Sequence, residues 1–128
     1  MAKHIDYYVS LNSPWTYLAS KRLEAMAAKH KADVTIWPVD FGSVFSVSGG
    51  LPLPKRSPQR QAYRMMELKR WREVRGLPIN IQPKHFPSDE TPGTRLVIAA
   101  KLAGKDAHLL ATELGRSLWE REENLGEW

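Results

Sequence analysis

Apolar and polar residues interleave over Ile5–Ser10 and again over Asp33–Pro38, where Val34, Ile36 and the following Val39 carry the apolar positions. Both stretches are rich in aromatic and β-branched side chains and read as strands. Between them Leu18, Leu23 and Met26, set among alanines, predict a helix from Pro14 to about His30. A helix of that length joins two neighbouring strands by a right-handed crossover, so this opening segment is a βαβ unit with parallel strands. Ligands of parallel sheets approach the carboxyl ends of the strands, which directs attention to the residues just after Ser10.

Downstream the pattern changes. Residues 40–58 contain Gly49-Gly50, three prolines and several serines, and read as a long loop leaving the sheet. Ser57-Pro58 is a cap and first-turn signal, and the helix it opens runs to about Arg75 with Gly76 as its stop. Ala62, Met65, Met66, Leu68 and Val74 form its expected apolar side. The segment from Leu77 to Gly93 is proline-rich and without periodicity, hence irregular. Thr94–Ala103 and Asp106 to about Glu122 read as two further helices parted by Gly104, and no internal repeat is present.

Composition narrows the chemistry. The 128 residues are 42% hydrophobic and 26% charged, ordinary for a globular domain with a real core. Cysteine is absent, which removes disulfides, a cysteine nucleophile and thiolate metal sites, and no metal centre is expected. No apolar run nears the about 20 residues that span a bilayer, and no apolar signal core opens the chain. The cytoplasm is therefore the expected compartment, with no membrane partner. The net charge of +5 is concentrated in residues 55–75, where eight Lys or Arg face only Glu67 and Glu73. Such a helix could serve nucleic acid, a membrane surface or a small anion, or be a solvated face. Charge alone supplies no groove-reading motif, so no nucleic-acid partner is expected.

Ser13-Pro14 stands where the first strand turns into the first helix. Serine caps helices and proline suits the first helical position, so the Ser13 hydroxyl lies at the positive end of the macrodipole, where an anion such as a thiolate is favoured. The plain reading is a helix cap and nothing more. His4, His30, His85 and His108 fall into no triad with Ser13, so the hydroxyl has no base to make it a nucleophile.

The stretch Ile5-Asp6-Tyr7-Tyr8-Val9-Ser10-Leu11-Asn12-Ser13-Pro14-Trp15-Thr16-Tyr17-Leu18-Ala19 resembles the opening of the 2-hydroxychromene-2-carboxylate isomerases and the related kappa-class glutathione transferases. A second block, Tyr63-Arg64-Met65-Met66-Glu67-Leu68-Lys69-Arg70-Trp71 with Gly76-Leu77-Pro78-Ile79-Asn80 and His85-Phe86-Pro87, resembles their inserted helical domain. The resemblance implies an α/β, thioredoxin-like fold: a βαβ half over residues 1–45, then an inserted all-helical domain over 46–128. It further implies that the carboxyl-terminal ββα half is absent from this chain. The Val-Pro segment and later acidic residue that contact glutathione in relatives have no match here.

By the same resemblance the cofactor is glutathione, its sulfur beside Ser13, with Pro14, Trp15 and Arg60 in its site. Arg60 falls three residues before Tyr63, where relatives carry a lysine; arginine keeps the charge and changes the geometry. Ser13 is the implied catalytic residue, holding the thiolate. Trp15, Phe45 and Asn80 are the implied substrate contacts, while Tyr17 and Trp37 are aromatic walls whose commoner fate is core packing. The implied reaction turns 2-hydroxychromene-2-carboxylate into trans-o-hydroxybenzylidenepyruvate in aromatic catabolism, with a small aromatic carboxylate as substrate and glutathione regenerated. A kappa-like glutathione transferase is the alternative in the same fold. A non-catalytic truncated fragment or dimerisation module is the alternative outside catalysis, and a homodimer is expected by resemblance.

Overall fold

Strands Lys3–Val9 (β1) and Ala32–Pro38 (β2) pair in parallel in the computed structural model, which describes residues 2–127. Lys3 lies opposite Ala32 and Val9 opposite Pro38, and the Val39 N–H extends the ladder to the Val9 carbonyl. Helix Pro14–His30 (α1) makes the crossover. Ser13 caps its start, and Lys31 closes it in the left-handed region at φ 51°, its N–H reaching the Ala27 and Ala28 carbonyls. On β1 the side chains alternate, with Ile5, Tyr7 and Val9 inward and His4, Asp6 and Tyr8 exposed.

The segment 40–58 is not the open loop its composition suggests. Phe41–Ser48 is a helix (α2), started by Asp40, whose carboxylate accepts the Gly42 and Ser43 N–H groups, and ended by Gly49 at φ 74°. A single 3₁₀ turn follows at Leu53–Lys55. Asp40 is a strong cap, and that local signal outweighs the poor helix propensity of the serines and Gly42. Helix Pro58–Arg75 (α3) has the boundaries read from sequence, with Ser57 and Gly76 as its caps. Its apolar side does not: Leu68 is fully buried and Met65 half-buried, but Ala62, Met66 and Val74 are exposed. α3 touches the body along one narrow stripe, and Arg60, Lys69 and Arg70 are exposed away from it.

Helices Thr91–Leu102 (α4) and Ala107–Trp119 (α5) complete the chain. α4 begins three residues before the expected Thr94, because Pro92 in a first turn loses no intrahelical hydrogen bond. α5 stops at Trp119, short of Glu122, which takes a positive φ of 56°. The core is built on α5. Leu114, Leu118 and Trp119 pack with Val9, Leu11 and Ile36 from the sheet side, Leu18 of α1, Leu68 of α3, Val97 of α4, and Ile79 and Leu125 from the connections. The division proposed at residue 45 falls inside α2, and this cluster draws on both sides of it. Among the described residues no helix is long and apolar enough to cross a membrane.

Candidate functional site

At the carboxyl end of β1 the chain turns through Ser10–Asn12 and delivers Ser13 to the start of α1. The Ser13 Oγ accepts the Thr16 N–H at 3.2 Å, and the Ser13 carbonyl takes the Tyr17 N–H. This bond uses a lone pair of Oγ and leaves its proton free to donate. Pro14 has no N–H, and among the described residues the Trp15 N–H has no acceptor. A hydroxyl and an amide thus remain as donors at the positive end of a 17-residue helix. Together they suit an anionic sulfur, whose charged form such donors stabilise. With no cysteine in the chain, the sulfur would come from outside.

The turn carrying Ser13 is clamped from far along the sequence. The Glu90 carboxylate accepts the Ser10 hydroxyl at 2.9 and 3.0 Å and the Asn12 N–H at 2.9 Å. Asn12 in turn pairs both ways with Ser88: its amide donates to the Ser88 carbonyl at 2.7 Å, and its Oδ1 accepts the Ser88 N–H at 3.0 Å. Ser88 Oγ donates to Asn124 Oδ1 and accepts the Leu125 N–H, both at 2.8 Å. Glu90 occupies the cap position of α4 yet makes no cap bond there. Its side chain serves the β1–α1 turn instead.

The other residues singled out from the sequence stand on separate elements. Among the described residues no hydrogen bond links Ser13 with Arg60, Phe45 or Asn80. Arg60 is exposed in the first turn of α3. Phe45 stacks on Phe41 at 6.0 Å and lies against Gly50, where a Cβ would meet its ring at 2.4 Å. Asn80 takes the Gln82 N–H on its side chain and donates its own N–H to the Trp119 carbonyl, the work of a turn residue. Pro14 is buried, while Trp15 is 42% exposed beside the cap and is available to a ligand.

Tyr17 is buried and donates to Glu120 at 2.8 Å. Burial, then the hydrogen bond to Glu120 and its charge, push the phenol above its ordinary pKa. Trp37 is half-exposed but engaged: its indole donates to Asp6 at 2.7 Å, and Lys101 Nζ lies 3.0 Å from its ring centroid. That indole bond is the first of the causes holding Asp6 below the ordinary carboxylate range.

Two features escaped the sequence. Glu90 falls in the proline-rich segment read as irregular, and nothing nearby announces its partners at Ser10 and Asn12. Arg64 was one basic residue among eight in residues 55–75, with nothing to set it apart, yet it is half-buried with its guanidinium 5.2 Å from the Phe86 ring centroid. Among the described residues no group of three or more His, Asp or Glu is placed to hold a metal ion.

The architecture is similar to that of a solved 2-hydroxychromene-2-carboxylate isomerase in its selenomethionine form, with a TM-score of 0.78 and 18% identity. The likeness covers 95% of this chain and 59% of that one, so this chain spans 59% of the isomerase chain's length. At this identity it speaks to fold: a thioredoxin-like βαβ start with a helical insertion. No curated protein matches the sequence. The DSBA-like thioredoxin domain matches residues 4–127, nearly all of the chain, and the chain belongs to that family.

Proposed function

We propose that this chain binds glutathione with its sulfur against Ser13 and serves a glutathione-dependent isomerisation of an aromatic carboxylate of the 2-hydroxychromene-2-carboxylate type. The observation that carries the reading is the Ser13 cap, its hydroxyl proton and the adjacent Trp15 N–H both without acceptors among the described residues, in a fold shared with such an isomerase. When bound, glutathione would supply a nucleophilic thiolate. Ser13 donates to that sulfur, the Trp15 N–H adds a second donor, and the α1 dipole favours the charged form. The exposed Trp15 ring offers an apolar wall, and Arg60 at the start of α3 offers a cation to a glutathione carboxylate. A reduced thiol cofactor suits the cytoplasm.

A kappa-like transferase would use the same cap, and product analysis with an electrophile and with the chromene carboxylate separates the two. A second reading, a dimer module, draws on α2: none of its residues is buried, and Phe41, Val44 and Val47 expose an apolar face that a second copy of the chain would cover. Sedimentation showing a stable monomer at working concentrations removes it.

Calorimetric titration of the chain with glutathione, alongside Ser13→Ala, tests the thiol site. Saturable binding weakened about tenfold or more by the substitution supports it, on the scale of one hydrogen bond to a charged group. A folded chain that takes up no glutathione, or a Ser13→Ala variant that binds as well as the parent, overturns it.

A further inference from the structure

The first half of α3 and the segment 81–86 enclose an open groove of about 310 Å³. Met65, Ile81 and Phe86 give it apolar walls, Gln61 and Gln82 bring amides, and Arg64 brings the charge. Arg64 is held in an unusual state. It is half-buried, its guanidinium sits over the Phe86 ring, and among the described residues it forms no ion pair with a carboxylate. A guanidinium drawn out of water is normally matched by an anion, because ring contact returns only part of the lost hydration.

The surroundings sharpen the mismatch. Arg56, whose charge acts on Arg64, is also half-buried, and its Nε is committed to the Leu51 carbonyl at 2.8 Å. Burial first, and Arg56's charge second, press Arg64 below its ordinary pKa, though a guanidinium stays protonated. The groove therefore has a fixed positive charge at one wall, planar and apolar surface beside it, and no counter-ion among the described residues.

We infer that this groove is a binding site for a small aromatic carboxylate, whose carboxylate pairs with Arg64 and whose ring lies against Phe86, Ile81 and Met65. A guanidinium presents two parallel N–H groups that match a carboxylate in the plane, and Phe86 beneath it holds the fork in orientation. Gln61 Nε2 already donates to the Arg56 carbonyl at 2.8 Å, so its Oε1 remains as an acceptor for a ring hydroxyl. The site stands on the groove's own residues, and it rests on the proposed function only for the identity of the natural ligand.

The test uses 1-naphthoate and its neutral amide, 1-naphthamide, titrated calorimetrically into the whole chain without glutathione. Saturable naphthoate binding is expected, about tenfold or more tighter than naphthamide, and weakened by a similar factor in Arg64→Met but unchanged in Lys69→Met. The acid and amide comparison uses the unaltered chain, so it decides the matter even if Arg64→Met does not fold. Equal affinity for acid and amide, no saturable naphthoate binding, or equal weakening in Lys69→Met overturns the inference. Since no thiol is present, each of these outcomes leaves the Ser13 titration to be judged separately.

Discussion

Glu90→Ala removes the only acceptor among the described residues for the Asn12 N–H, and the partner of the hydroxyl of Ser10, a residue only 7% exposed. Hydrogen bonds to a charged group contribute about 1.5–3 kcal/mol each, and an orphaned buried donor costs about 1–3 kcal/mol. Glu90 is itself half-buried, so water screens part of this, and the lower ends apply. The expected loss is about 3 kcal/mol, a fall in Tm of about 10 °C for a domain of this size. Glu90→Gln keeps one oxygen that can accept from both Ser10 and Asn12 and loses only the charge, so about 1 kcal/mol is expected. Urea unfolding followed by circular dichroism reads both, and a cycle with Ser10→Ala isolates the pair, with a coupling of about 1 kcal/mol or more. A Glu90→Ala variant within about 0.5 kcal/mol of the parent would refute the clamp, since that is the range of surface substitutions without a structural role.

Tyr17→Phe leaves Glu120 held by Arg116 at 3.1 Å but deletes the phenol bond, and a loss of about 1.5 kcal/mol is expected in the same urea assay. The raised phenol pKa also sets a sign. A proton bound more tightly in the fold stabilises fully below the unfolded tyrosine value and is lost as pH rises through the folded one. The parent should therefore lose stability in strong alkali more steeply than Tyr17→Phe. Asp40 shows the opposite case: the Ser43 hydroxyl first, then the Ser43 and Gly42 amides, lower its pKa. Its cap on α2 is present above the ordinary carboxylate range and fades as pH falls through the depressed value; an NMR titration should show the Asp40 pKa rising in Ser43→Ala.

What was legible in the sequence was local. Ser13-Pro14 and Ser57-Pro58 announced the starts of α1 and α3 because cap and first-turn chemistry act within four residues, and Gly76 marked the stop of α3 for the same reason. The β1–α1–β2 unit followed from period and length. α2 was hidden because glycine, proline and serine dominate residues 40–58 while Asp40 alone marks its start, and the first turn of α4 was hidden because Pro92 lies at the end of a proline-rich, aperiodic segment. Residues whose state depends on distant partners were beyond reach. Arg64 looks like its basic neighbours until Phe86 is folded beneath it, and Glu90 looks like a surface acid until β1 ends beside it. The Ser13 cap itself was readable, but the turn that fixes its position was not.

The clamp around Asn12 also orders events in time. Its partners lie 76 to 80 residues away in Ser88 and Glu90, and Ser88 is tied onward to Leu125. Contacts of such sequence separation form late, because a long loop must close before they yield anything. As the chain emerges during synthesis, β1, α1 and β2 can be present while the Ser13 turn is still unfastened. It becomes fixed only when residues near 125 have been made and α5 has docked. An incomplete chain therefore holds a helix start whose position is not yet fixed by its distant partners.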